Sequence, residues 1–179
     1  MLKKMRGFTL IELLIVVAII GILAALLIPN ALEAIQKAKQ KSAMKAIMTV
    51  STGAIDYITD HGDWSLVADP GDLVTNNPFM QAIATFYVKV VPVNDPWNEP
   101  YKVHLGTAVT TFISGSTGVG VDDFAMASAG RDNILTAPTF VPATPEIGLY
   151  NVSSMADFDR DLVAWNGSWI IGPRTNVGS

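Results

Sequence analysis

The feature that most limits what this chain can fold into is an uncharged, strongly apolar run of 20 residues from Leu13 to Leu32. A helix rises about 1.5 Å per residue, so a run of this length spans about 30 Å, the thickness of a bilayer's hydrocarbon core. Lys3, Lys4 and Arg6 precede the run and predict that its N-terminal end stays on the cytoplasmic side. One carboxylate, Glu12, stands at the edge of the apolar stretch. An unpaired charge within a membrane costs roughly 2.5–3.5 kcal/mol on insertion scales, so Glu12 calls for a partner.

The order of residues narrows the choice further. A basic segment ends at Gly7 and is followed by Phe8, Thr9, Leu10, Ile11 and Glu12. A secretory signal peptide places its cut after the apolar region, at an A-x-A-like site. Here Ala31 and Ala34 have the wrong spacing for that, and the basic residues, glycine and aromatic all come before the run. An uncleaved signal anchor is the stronger rival.

Lys3–Gly7 with the following Phe-Thr-Leu-Ile-Glu resembles the type III signal of type IV pilins and pseudopilins. The resemblance implies cleavage by a prepilin peptidase between Gly7 and Phe8 and N-methylation of the new Phe8 amine. It also implies an assembly role for Glu12, which neutralises the N-terminal ammonium of a neighbouring subunit. Methylation keeps the amine's positive charge, so such a pair removes two isolated charges from an apolar bundle at once. The alternative for Glu12 alone is an ordinary first-turn acid favoured by the helix dipole.

Charge separates the two ends of the chain. The formal charge is −4 overall, but without residues 1–7 it becomes −7. Beyond Ala46 only Lys89, Lys102, Arg131, Arg160 and Arg174 are cationic, against 14 acids. No nucleic-acid partner is expected for so acidic a domain, since nucleic-acid binding leaves a basic footprint. There is no cysteine. Many type IV pilins share a C-terminal disulfide loop, and this chain departs from that pattern, so something else must pin its C-terminal end.

Taken in order, Gly21 and Pro29 are candidate helix breaks, Pro29 because it removes a backbone donor. In pilin-like filaments the corresponding stretch can become extended. From Asn30 to about Asp60 the spacing of Leu32, Ile35, Ala38, Met44, Ile47, Met48, Ser51, Ile55 and Ile58 predicts an amphipathic helix. Lys37, Lys39, Lys41 and Lys45 fall on its solvated turns. Asp60-His61-Gly62-Asp63 predicts its end. Asn77-Pro78 opens a short helix through Ala84, and Asp69-Pro70-Gly71-Asp72 marks a turn. Tyr101–Val109, Thr110–Ser114 and Asp122–Ala129 are expected strands. Gly115 to Gly120 is a glycine-rich turn without the lysine of a phosphate loop.

Three further segments carry a narrower resemblance. Asn94-Asp95-Pro96-Trp97-Asn98-Glu99-Pro100-Tyr101 resembles the D-P-W-G-x-P-Y signature of type II secretion major pseudopilins. Asn98 replaces the glycine and is expected to take positive φ. Ser128-Ala129-Gly130-Arg131-Asp132 and Asp159-Arg160-Asp161-Leu162, followed by Trp165 and Trp169, resemble that family's two later loops. Residues Ile134 to Met155 between them look like an insertion. The resemblance implies calcium as the one cofactor, with Asp132, Asp159 and Asp161, and Ser128 in addition, as ligands. Calcium takes six to eight hard oxygens, which clustered carboxylates and loop carbonyls supply.

The expected fold is α+β and pilin-like, with a long N-terminal helix packed on a small antiparallel sheet. The expected division is a leader at 1–7, a membrane and filament-core segment at 8–32, an amphipathic helix half at 33–62 and a periplasmic head at 63–179. The resemblance implies a non-enzymatic, single-pass inner-membrane protein that is drawn into a homopolymeric pseudopilus. Its implied partners are the prepilin peptidase, an inner-membrane assembly platform and minor pseudopilins. A type IV pilus subunit for adhesion, motility or DNA uptake is the alternative. A membrane-anchored periplasmic enzyme or binding module is the alternative of another class.

Overall fold

The computed structural model describes residues 7–174; Lys3, Lys4 and Arg6 lie outside the described residues. Helix α1 runs from Leu10 to His61 without interruption. Its start is set by a reciprocal cap: Glu12 N–H donates to Thr9 Oγ1 at 3.3 Å, and Thr9 N–H donates to Glu12 Oε2 at 2.9 Å. It ends where Gly62 takes φ +93° and donates its N–H to the Ile58 carbonyl. Gly21 and Pro29 do not break it, contrary to the expected interruption. Helix formation is cooperative, and the bonds on either side of Pro29 bridge the one donor it lacks.

The chain forms two compact units, one ending at Lys37 and the other beginning at Ala38. In the first, the large apolar side chains are exposed. This segment supplies the one helix among the described residues that is long and apolar enough to cross a membrane.

The second unit is an α+β head. Its sheet is built from β1 (Gly71–Asp72), β2 (Lys102–Leu105), β3 (Phe124–Ser128), β4 (Leu149–Tyr150), β5 (Leu162–Trp165) and β6 (Ser168–Pro173), in the order β1-β2-β3-β5-β6-β4. All pairings are antiparallel except β4 with β6, which is parallel, so the sheet is mixed rather than purely antiparallel. β5 and β6 form a hairpin through Asn166 and Gly167, both at positive φ, the pairing that twisted two-residue turns favour.

One sheet face packs on α1. Ala43, Ile47, Val50, Ala54 and Tyr57 line up at alternating four- and three-residue spacing and bury against Val103, Leu105, Met126, Leu162 and Ala164. The expected register of that stripe is corrected. Ile47 and Ser51 face inward as expected, but Leu32, Ile35 and Ile55 are exposed. The inward positions are rich in alanine and glycine because the partner comes close. A Cβ at Gly53 would collide with the Val88 side chain. Helix α2 (Pro78–Ile83) is capped by Asn77, whose Oδ1 accepts the Met80 N–H at 2.7 Å.

The opposite sheet face carries Ala125, Ala127, Val163 and Ile170, covered by Val109 and Ile113. Those last two belong to a segment expected as strand. Instead β2 stops at Leu105, Gly106 turns the chain at φ +54°, and Ala108–Phe112 forms the short helix α3. One helical turn sets Val109 and Ile113, four residues apart, on the same side, where both bury against Ala125, Ala127 and Val163.

Candidate functional site

The residues singled out for processing and assembly lie at the N-terminal end of α1. Gly7 and Phe8 precede the first helical turn, and Phe8 is 78 % exposed. Among the described residues, no atom beyond its chain neighbours lies within 4 Å of where a Gly7 side chain would begin. Glu12 is exposed, and its Oε2 accepts from both Thr9 N–H and Thr9 Oγ1, the latter at 2.7 Å. Among the described residues the carboxylate's hydrogen-bond partner is local and neutral.

The second group lies where β3 leaves the sheet and β5 enters it. Gly130 has φ +72°, and a Cβ there would stand 2.7 Å from the Arg160 carbonyl oxygen and 3.0 Å from that of Phe158. Only glycine allows the two backbones to pass so closely. Arg131 N–H donates to the Phe158 carbonyl at 2.8 Å. Its side chain grips Asp159 in a fork, Nε to Oδ1 at 2.6 Å and Nη2 to Oδ2 at 2.8 Å. That carboxylate holds the Arg131 proton more firmly than usual. Asp161 is buried. Its Oδ2 accepts the Thr136 N–H at 2.9 Å, while its Oδ1 has no partner. Burial, with a smaller push from the Asp132 charge and against the Thr136 bond, raises the Asp161 carboxyl to about 6.

Residues 2–28 match the family model described as the prokaryotic N-terminal methylation motif. The type II secretion system core protein G of Vibrio cholerae is 36 % identical over 112 residues, covering 56 % of this chain and 73 % of that protein. The protein of the same name from Pseudomonas aeruginosa is 35 % identical over 109 residues, with the same coverage. That from Aeromonas hydrophila is 30 % identical over 106 residues, again covering 56 % and 73 %. The chain belongs to the type II secretion system core protein G family, the major pseudopilins. No solved structure matches it.

For a member of this family the expected calcium ligands need a test against the donors present. They do not form a shell. Both Asp159 oxygens are held by Arg131. Ser128 Oγ donates to Asp95 Oδ2 at 2.6 Å, so it serves another part of the fold. Asp132 Oδ1 accepts the Ile134 N–H at 3.0 Å in a local turn. Among the described residues no group of three histidines or acids is placed to hold a metal ion. Among the buried side-chain atoms described, Asp161 Oδ1 is the one candidate-ligand oxygen without a partner, and one such oxygen falls far short of six to eight.

Two structural carboxylates escaped the sequence reading. Asp95 stands in the sequence as one residue of the Asn94–Tyr101 motif; in the structure it is buried and acts as a hub. Its Oδ1 accepts from the N–H groups of Trp97 and Glu99 at 2.9 and 3.0 Å, and its Oδ2 takes the Ser128 hydroxyl. Asp123 likewise accepts from Gly120 N–H and Trp165 Nε1 and bonds Asn166, tying the glycine-rich turn to the β5–β6 hairpin. The signal for Asp95 was present: an aspartate before proline, with amides two and four residues on, is an Asx-turn pattern. Asn98 takes φ +75°, as its place in that motif implies.

Proposed function

We propose that this chain is the polymerising subunit of a periplasmic pseudopilus in a type II protein secretion system. The observation that carries the reading is an α1 N-terminal half with its apolar side chains in the open and a single carboxylate at its tip. At about 25 cal/mol per Å² of apolar surface removed from water, such a helix is unstable in water and needs lipid or copies of itself around it.

The sequence of events follows from the residues. Before processing, the helix rests in the inner membrane with its head in the periplasm. Cleavage after Gly7 turns Phe8 N into an ammonium, and methylation leaves its charge in place. Transfer from lipid into a filament core exchanges one apolar surrounding for another, so apolar burial gives that step little direction. The Glu12 carboxylate supplies the direction, because pairing with a neighbour's Phe8 ammonium replaces its neutral contact with Thr9 by an opposite charge. Pro29 leaves the Ala25 carbonyl without its usual donor and is the place where α1 opens if a filament stretches. The head forms the filament's outer shell and docks on the assembly platform and minor pseudopilins. Its role is structural, not catalytic.

The test is direct. Sequencing the membrane-extracted protein gives methylated Phe8 as the first residue, and a start at Met1 ends the proposal. Deleting the gene abolishes release of exoproteins; loss of long surface fibres with secretion intact points to a type IV pilus instead.

A further inference from the structure

The loop between β3 and β5 shows a positive charge where the family resemblance implies a divalent cation. We propose that Arg131 does that cation's work: its guanidinium closes the 132–158 loop by pairing with Asp159, and the head holds this loop without calcium. The inference stands whether or not the chain forms filaments, because it concerns the head alone.

Three observations carry it. The first is geometric. Gly130 and Arg131 already lie against Phe158 and Arg160 through backbone contact, and the Arg131 amide bonds the Phe158 carbonyl at 2.8 Å. The fork to Asp159 begins from the same residue, one position along on the opposing strand of chain. It adds two charge-assisted bonds to a crossing that is already in register. The second is exclusion. Both Asp159 oxygens lie on the guanidinium, so a calcium ion at Asp159 must displace it and leave two positive groups side by side. The third is the fate of the other donors. Ser128 is turned to Asp95, and Asp132 and Asp161 each bond a nearby backbone N–H.

The need for a clasp is physical. Residues 131 and 159 are 28 apart, and closing a flexible loop of that size costs chain entropy that grows with the logarithm of its length. The chain has no cysteine with which to do so. Each partner is about one-third exposed, 32 % for both side chains. The pair is therefore partly shielded from solvent without suffering full desolvation.

The experiment uses the full chain in detergent. Thermal unfolding of the head is followed in excess calcium and in excess chelator, with isothermal titration of calcium alongside. The wild type is expected to melt at the same temperature in both and to give no binding isotherm. A rise of about 5 °C in calcium, reversed by chelator, overturns the proposal. That arm needs no variant, so a misfolded mutant cannot obscure it. R131Q and D159N are then compared with the double variant. Each single change is expected to speed proteolytic cutting between residues 134 and 155 roughly tenfold, with the double variant no worse than either. Additive effects, or single variants that cut at the wild-type rate, overturn the clasp. R131K, which keeps the charge but loses the fork, is expected to fall between.

Discussion

From Leu10 to Lys37, α1 holds its large side chains in the open; Leu26 is 69 % exposed and Leu27 65 %. From Ala38 onward the same helix buries Ala43, Ile47 and Ala54 completely. Both stretches are apolar and share one hydrogen-bond ladder, yet they answer to different partners. The first is uncharged from Leu13 to Leu32, and its large apolar side chains are exposed. The second narrows to one stripe because a sheet covers it. Apolar content alone therefore does not say whether a helix face folds or assembles. For the second half the partner is marked by the small residues of the stripe; for the first, the proposed mark is Glu12.

This contrast predicts that assembly and head stability can be broken separately. The largest expected effect is E12A, which reduces filament mass at least tenfold in electron micrographs while leaving the head's melting temperature unchanged; filaments at wild-type yield would sink the assembly role. Next is Phe158→Ala, which empties a fully buried ring site beside the β3–β5 loop and is expected to cost about 3–5 kcal/mol of head stability in denaturant titration. N-terminal cleavage should continue in that variant, and its loss would show that the peptidase reads the head.

A smaller effect concerns Asp161. Its carboxyl is raised by burial to about 6, so the folded chain binds a proton more tightly than the unfolded chain between about pH 4 and pH 6. Stability then falls as pH rises through that window and stays lowered above it. Asp161→Asn removes that loss and supplies an amide donor, so it should raise stability near pH 7 by about 1–3 kcal/mol and flatten the slope. A drop instead, seen only in calcium, would mean that the carboxylate holds a cation. The smallest effect belongs to the exposed Glu33–Lys37 pair, 2.7 Å apart, where K37A should change stability by no more than about 0.5 kcal/mol.

How much was legible beforehand differs by region. Local patterns were sufficient for α1 and its end at Gly62, the Asn77-capped helix, strand β3 and the positive φ of Asn98. Each is set by residues within a turn or two of one another. The expected strands at 101–109 and 110–114 failed beyond Leu105: valine, threonine and isoleucine favour strands, but Gly106 at φ +54° turns the chain and Ala108–Phe112 closes a helical turn over the second sheet face. The β5–β6 hairpin has a local signal in the Asn166-Gly167 pair, but its strands carry no clear alternation to mark them.

The sequence by itself determined the N-terminal rod, the Gly7–Phe8 junction with Glu12 four residues on, and the turn chemistry of the Asp95 motif. These depend on spacing along one stretch of chain, where helix pitch and fixed dihedrals leave few choices. Only the tertiary structure decided which stripe of α1 meets the sheet, that Ser128 serves Asp95, and that Arg131 claims both oxygens of Asp159. Those partners lie 28 to more than 100 residues apart, as Gln40 and Tyr150 do where they bond across the head. Contacts at such separations arise from how packed elements bring backbones together, and no local periodicity records them.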